Sequence, residues 1–222
     1  MTLTLYKLDA SPPVRAVLMT LEVLGIKDVE MVDINIFEGE QLTEEFLKMN
    51  PQHTIPTFKD DDLILGDSHA ICTYLVNKYA ENHPIYPTDP KTRALIDQRL
   101  HFNGGVLFTA ARGAVEKIIG SDAKELNKEF LLKIEKGYQF LESFLTSTWL
   151  VGDQFTLADI CCVATVSSTN VLLPIDPNLY PKLQAWLDRC AAKDFFKKCN
   201  KPGLEQLAIN IKNKVAKNSQ EK

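Results

Sequence analysis

No apolar stretch in this chain is long enough to cross a bilayer: its longest runs, residues 161–166 and 171–174, fall far short of the roughly 20 residues a spanning helix needs. There is no CxxC pair. The five cysteines, Cys72, Cys161, Cys162, Cys190 and Cys199, are odd in number and lack the spacing of a zinc site or a disulfide framework. They read as reduced, mostly buried apolar thiols. The ten glycines form neither GxGxxG nor GxxxxGK, so no nucleotide-binding loop is written into the chain. Positive charge is not in excess either: 25 Lys and Arg stand against 29 Asp and Glu, a net charge of -4, which gives no general basic field for nucleic acid or an anionic membrane. The opening residues, Met1-Thr2-Leu3-Thr4-Leu5-Tyr6-Lys7, have no basic segment and reach Asp9 before a secretory apolar core could form. On this basis the chain reads as mature and cytoplasmic. Internal repeats and low-complexity tracts are absent.

What is present is an ordinary globular composition, 222 residues with 45% hydrophobic and 24% charged, enough for one large domain or two small ones. The first 80 residues switch between two periodicities. Leu3, Leu5 and Leu8 suit a short strand, as do residues 29–36, while Val14, Val17, Leu18, Leu21 and Leu24 recur at helical spacing before Gly25. A short helix is expected from Thr43 to a stop at Asn50-Pro51, then strands over 54–58 and 63–65 across the acidic turn Asp60-Asp61-Asp62, then a helix from Ser68 to about Asn82. The order βαβαββα on a small mixed sheet is a thioredoxin-like arrangement in an α/β domain. Three prolines within residues 84–90 forbid a continuing helix or a central strand. The expected division is therefore an N-terminal domain 1–83, a linker 84–90, and an all-helical domain 91–222. In the second domain Thr156 and Asp159 have the spacing of a capping box, with Phe155 and Ile160 as a hydrophobic staple. Residues 212–222, polar and rich in lysine, read as a frayed tail. Asp97 and Arg99 could pair with each other or across a dimer.

Ser11 stands where the first strand hands over to the first helix, followed by Pro12 and Pro13, whose missing N–H groups suit a helix start. Its hydroxyl either caps that helix or meets an incoming anion at the positive end of the helix, and a thiolate would serve as that anion. Asp67 and Ser68, at the head of another helix, read locally as an acidic cap pair.

Four segments in this order, Ser11-Pro12-Pro13-Val14-Arg15-Ala16, Asn50-Pro51-Gln52-His53-Thr54-Ile55-Pro56-Thr57, Asp67-Ser68-His69-Ala70-Ile71 and Leu157-Ala158-Asp159, resemble the cytosolic glutathione transferases. Among these the chain is similar to the insect delta and epsilon classes, and most to the epsilon class through Pro-Gln-His-Thr and the stretch 99–108. The resemblance spans most of the chain and implies an enzyme that uses reduced glutathione as co-substrate, with no prosthetic group and no metal. It implies that Ser11 donates a hydrogen bond to the glutathione sulfur, which favours the thiolate. It further implies a cis peptide at Pro56, leaving the Ile55 backbone to pair with the tripeptide as an added strand would. His53 is implied at the glycyl end, with Thr54 beside it. Asp67 is implied at the γ-glutamyl ammonium and Ser68 at its carboxylate, with His69 and Arg112 nearby. Two positions depart from the pattern: many relatives carry Glu where this chain has Asp67, and epsilon relatives often carry His where this chain has Gln41, a weaker glutathione contact.

The pocket for the electrophile is expected between the domains, lined by Pro13, Ile36, Phe37, Phe108, Ala111, Arg112, Val115, Ile119 and Leu207. Phe108, Arg112, Val115 and Ile119 fall on one helical face. The implied reaction joins the thiolate to a hydrophobic electrophile, with dehydrohalogenase or peroxidase side activity within reach of the same thiolate. The resemblance implies a homodimer, with no nucleic-acid or membrane partner. A thiol oxidoreductase on this scaffold would need a cysteine in the loop at residues 11–13, and none is there. A non-catalytic carrier of hydrophobic ligands is the alternative.

Overall fold

The computed structural model describes residues 3–120 and 123–220. Strand β1 (Leu3–Lys7) is followed by α1 (Pro12–Leu24), β2 (Val29–Asp33), α2 (Glu44–Met49), β3 (Thr57–Asp60), β4 (Leu63–Leu65) and α3 (Ser68–Tyr79). The sheet runs β2-β1-β3-β4, with β1 and β2 parallel and the other pairs antiparallel. This is the thioredoxin-like order expected from the periodicities. Helix α1 turns Val14, Val17 and Leu21 inward and stops at Gly25, whose φ of 68° is the left-handed cap conformation that glycine takes without a Cβ penalty.

Helix α4 (Pro90–Phe102), a π turn over Asn103–Phe108 and α5 (Thr109–Gly120) follow one another without a break. Helices α6 (Lys128–Phe144), α7 (Leu157–Leu172) and α8 (Pro181–Ala191), a second π turn (Phe196–Asn200) and α9 (Lys201–Gln220) complete the helical domain. Helix α7 is buried all round, every residue from 157 to 169, which is the pattern of a central core helix rather than an amphipathic one. It packs directly on α1 and so joins the two domains through their cores.

Several boundaries differ from the sequence expectation, each for a visible reason. Strand β3 begins at Thr57 rather than 54, because Asn50 ties residues 54–57 into a side-chain network ahead of the ladder. Strand β2 ends at Asp33, and the chain then enters a tight loop in which Glu40 accepts from the Asn35 N–H at 2.6 Å. Helix α3 ends at Tyr79, and Asn82 takes a φ of 64°. The π turns have no signature in apolar spacing, so the long element reads as ordinary helix in sequence. The expected frayed tail is corrected: α9 continues to Gln220, and Asn218, 1% exposed, donates to the carbonyls of Ile118 at 3.3 Å and Ala123 at 2.8 Å. One side-chain amide thereby serves a carbonyl in the last turn of α5, which has no partner within its own helix. Residues 221–222 of that tail, and Met1 and Thr2 of the N-terminal reading, lie outside the described residues.

The capping box of α7 forms as expected, while the ring of Phe155 packs against Trp149 and Phe195 at centroid distances of 5.1 and 5.2 Å. Asp97 and Arg99 do not pair with each other. Asp97 accepts from the Tyr86 hydroxyl at 2.7 Å, and the Arg99 guanidinium lies 3.8 Å over the Phe144 ring. Cys72, Cys161, Cys162 and Cys190 are buried free thiols and Cys199 is half-buried.

Of the three acids in the hairpin, Asp60 is no turn residue. It is 1% exposed and accepts from Lys78 and Tyr74, each at 2.7 Å, and from Tyr79. Burial alone would raise its carboxyl; the donors Lys78, Tyr79 and Tyr74 outweigh burial and hold it below the usual carboxylate value. A depressed carboxyl stabilises the fold at pH above its unfolded value and loses that contribution as pH falls through the lower, folded one. Asp60→Asn is therefore expected to lose about 1–3 kcal/mol at neutral pH. The gap from the parent in urea unfolding should close below about pH 4; a gap that persists there would assign the loss to packing instead.

Candidate active site at one edge of the sheet

The strand register gathers the sequence-singled residues. Tyr6 pairs with Thr57 and Phe58 with Leu65, so the C-terminal end of β1, the N-terminal end of β3 and the C-terminal end of β4 share one edge. Ser11 follows the first, His53 to Pro56 precede the second, and Asp67 to His69 follow the third. The loop after β2, with Ile36, Phe37 and Gln41, leaves from the same edge, since β2 runs parallel to β1.

Ser11 is the N-cap of α1, half-buried, with its N–H donated to Leu8 O at 2.9 Å. A cap hydroxyl ordinarily accepts from the N–H of the second or third helical residue. Here the second is Pro13, which has none, and the hydroxyl makes no capping bond. The two prolines start the helix and leave the Ser11 hydroxyl uncommitted.

Asn50, read in sequence as a helix stop and as the first residue of the segment 50–57, caps α2 and is also the hub of the next loop. It is 5% exposed and its Nδ2 reaches Thr54 O at 3.1 Å, Thr54 Oγ1 at 3.2 Å and Thr57 Oγ1 at 2.8 Å. Thr54 is thus committed to Asn50 through its hydroxyl. The loop holds His53 exposed at a φ of 44°, and the Ile55–Pro56 peptide is cis. The Ile55 N–H has no hydrogen-bond partner among the described residues. No local signal distinguishes this Asn50 from an ordinary helix C-cap.

Asp67 caps α3, and its Oδ1 accepts from the N–H groups of His69 and Ala70, both at 2.9 Å. That is the structural role its sequence position suggests. The residue is exposed, and Oδ2 takes no part in the cap. Ser68 is 8% exposed, and its N–H is the one donor of this first turn that Asp67 does not engage.

His69 turns away to the helical domain. Its Nε2 accepts from Asn103 Nδ2 at 3.0 Å, and the same amide donates to Cys161 O at 3.2 Å. Burial lowers the imidazole pKa, Asp67 opposes and His101 adds to the lowering, so the ring is neutral. This bond seats the π turn against the head of α3, and Phe108 at the end of that turn is half-buried. Ala111 is 5% exposed, Val115 half-buried, Arg112 exposed, and Ile119 37% exposed. Gln41 donates weakly to Ile36 O at 3.4 Å, and its Oε1 is buried without a partner. Phe37 is 55% exposed and Pro13 half-buried.

The half-buried Leu207 lies on α9, which reaches the site through Gly203. A Cβ at residue 203 would stand 2.0 Å from the carbonyl oxygen of Asp9, two residues before Ser11. Gly203→Ala is expected to push α9 off that loop at a cost of about 1–3 kcal/mol. The check is a lowered melting temperature together with weakened binding of apolar ligands; an unchanged melting temperature would refute the contact. The broad concavity lined by Thr146, Asp153, Pro181 and Arg189 shares no residue with this edge.

The site thus offers an uncommitted hydroxyl at a helix N-terminus, an edge peptide N–H and a second helix start with a carboxylate, with α9 packed against the loop that precedes Ser11. Comparison with known proteins agrees. Residues 5–83 match the family model for the glutathione S-transferase N-terminal domain, and residues 107–194 match that for its C-terminal domain. Glutathione S-transferase 1 of Manduca sexta is 58% identical over 204 residues, covering 91% of this chain and 94% of its own. Among solved structures, an epsilon-class glutathione S-transferase from the housefly Musca domestica superposes with a TM-score of 0.91 at 40% identity, covering 96% of this chain and 98% of that one. A Drosophila mojavensis glutathione transferase homologue with bound glutathione gives a TM-score of 0.91 at 39% identity, covering 96% and 97%. With fold, edge and relatives in agreement, the chain belongs to the glutathione S-transferase family, as an insect enzyme of the epsilon/delta type.

Proposed function

We propose that the sheet edge binds reduced glutathione and that Ser11 holds its sulfur as the thiolate, which attacks the electrophilic carbon of a hydrophobic substrate. The observation that carries this reading is the uncommitted Ser11 hydroxyl at the N-terminus of α1, where a hydrogen bond and the helix dipole both favour a negative charge. The Ile55 N–H pairs with the cysteinyl part of the tripeptide. Asp67 Oδ2 meets the γ-glutamyl ammonium, and the Ser68 N–H and hydroxyl meet its carboxylate. His53 serves the glycyl carboxylate from its exposed position. His69 and Asn50 act as supports, one for the domain joint and one for the loop.

Phe108, Val115, Ile119 and Leu207, with Pro13, Ile36 and Phe37, form the apolar wall for the electrophile, and Arg112 borders it on the polar side. An apolar wall discriminates by only about 1–3 kcal/mol per methylene, which suits a broad range of apolar substrates. The division into an N-terminal domain 1–83, a linker 84–90 and a helical domain follows from the proline run. The enzyme works as a cytoplasmic homodimer, for which the ring cluster of Phe102, Phe140 and Phe144 is the apolar face. No helix among the described residues is long and apolar enough to cross a membrane.

The test is calorimetric binding of glutathione together with conjugation to a chloronitrobenzene. Binding with turnover is the expected result. Binding without turnover would favour a carrier, and absence of binding would overturn the site.

A further inference from the structure

Arg15 is the largest cation enclosed by this fold, with 0% of its surface exposed. Its Nη1 donates to Asn200 Oδ1 at 2.6 Å, its Nη2 donates to Ser168 Oγ at 2.5 Å, and its Nε has no partner among the described residues. Both acceptors are neutral. Asn200 itself donates to Ser167 Oγ at 3.1 Å, and Ser168 donates to Ala164 O at 2.8 Å, so the network contains no negative charge. A buried cation held only by neutral groups is costly, and folds ordinarily supply a carboxylate.

Among the described residues, the groups hydrogen-bonded to Arg15 supply none. Helix α7 presents Ser168, and the second π turn presents Asn200, with the half-buried Cys199 next to it. Helix α9 presents Gly203, close to the Arg15 side chain. Helix α3 meets α1 at Thr20, through Cys72. The Glu22–Lys198 pair lies at the surface. Asp9 is the one carboxylate whose charge acts on Arg15, and it is already paired with Lys7 at 2.9 Å. Burial draws the guanidinium down to about 9, with Asp9 opposing. Asp9 is thus shared with Lys7, and no other group among the described residues offers Arg15 a counter-charge.

Position says which anion. The Arg15 N–H donates to Ser11 O at 3.1 Å, so Arg15 stands one helical turn behind Ser11. We infer that the buried Arg15 guanidinium is the counter-charge of the glutathione thiolate, acting through the protein interior from behind Ser11. The inference rests on the reading of Ser11 given above. As the thiol ionises its proton leaves to solvent, and Arg15 stays protonated. A full charge at roughly 10 Å, in a medium of effective dielectric constant about 20, shifts a neighbouring pKa by about one unit. Coupling is reciprocal, so the thiolate in turn restores Arg15 toward its ordinary basicity.

The rival account is that Arg15 only clamps α1 to α7 and the π turn. Asn200→Asp separates the two, because it keeps shape and contact while placing a carboxylate against the guanidinium. The readout is the ultraviolet absorbance of bound glutathione thiolate as a function of pH. In N200D the bound-thiol pKa is expected to rise by about one unit, which lowers kcat/KM about tenfold near pH 6.5 and leaves it little changed above about pH 9. Binding of S-methylglutathione, which cannot ionise, should stay the same. Arg15→Lys should keep the low thiol pKa, and Arg15→Met should raise it. A bound-thiol pKa unchanged within a few tenths in N200D or R15M, with reduced stability, would make Arg15 a clamp and overturn the inference.

The parent supplies a control that needs no variant. Its bound-thiol pKa should not move when salt is raised to about 1 M, where surface charges are screened over roughly 3 Å. A rise with salt would assign the effect to exposed charges such as Arg112. If the parent binds neither glutathione nor S-methylglutathione, it is the reading of the site that fails.

Discussion

Ser11→Ala is expected to lower kcat/KM for glutathione conjugation ten- to a hundredfold near pH 6.5 while leaving glutathione affinity nearly intact. A hydrogen bond to a charged group contributes about 1.5–3 kcal/mol, equivalent to about one to two pKa units on the bound thiol. The loss should therefore fade as pH rises past the free thiol value of about 8.5, where the sulfur ionises without help. Folding should be untouched, because this hydroxyl makes no capping bond and Pro12 and Pro13 already start the helix. A kcat/KM profile against pH, run beside calorimetric binding, decides the matter. A uniform loss at every pH would place Ser11 in positioning rather than ionisation, and no loss would remove it from the mechanism.

The largest effect on stability is expected at Asp159. It is 0% exposed, and its two oxygens accept from Leu150 N–H at 3.0 Å, Thr156 N–H at 2.9 Å, Thr156 Oγ1 at 3.1 Å and Trp186 Nε1 at 2.9 Å. One carboxylate thus closes the start of α7, holds the preceding loop and anchors α8 through its buried tryptophan. Asp159→Ala strands these donors at about 1–3 kcal/mol each, a large share of a total stability of about 5–15 kcal/mol. The variant should be recovered largely unfolded. Asp159→Asn, which keeps one acceptor oxygen, should fold with a lowered urea midpoint.

Burial raises the Asp159 carboxyl above its ordinary value in spite of its donors. The sign is then opposite to that of Asp60: the ionised form is penalised in the fold, and that penalty shrinks as pH falls through the raised value. Asp159 thus changes stability between its raised value and the unfolded one near pH 4, and Asp60 changes it below that, with the opposite sign. Equal midpoints for D159A and the parent would refute the anchor.

Much of this was legible in the chain. Period-two and helical spacing, Gly25, Thr43 and the capping box announce their elements because they act within a few residues. The site was legible as three short segments for the same reason: Ser11, His53 to Pro56 and Asp67 to Ser68 each sit at the end of a regular element, where turn and cap chemistry is local. Asn50 is the helix stop it was read as, and only the approach of Thr57 shows its second role; Asp60 was misplaced because a hairpin turn is its commonest use, and only Tyr74, Lys78 and Tyr79 show otherwise. The tail was misjudged because composition sees its lysines but not the carbonyls of Ile118 and Ala123 waiting about a hundred residues earlier.

The sequence by itself therefore determined the two kinds of domain, the order of elements and the identity of the thiol-activating candidate, since each depends on neighbours along the chain. The tertiary structure alone decided that Arg15 is enclosed without a carboxylate, that Asn103 joins the π turn to His69, that Gly203 admits α9 to the Ser11 loop, and that the strand register brings three loops to one edge. Those facts depend on contacts across as many as 185 residues. Burial and charge compensation are properties of the whole packed molecule, and no local window of sequence contains them.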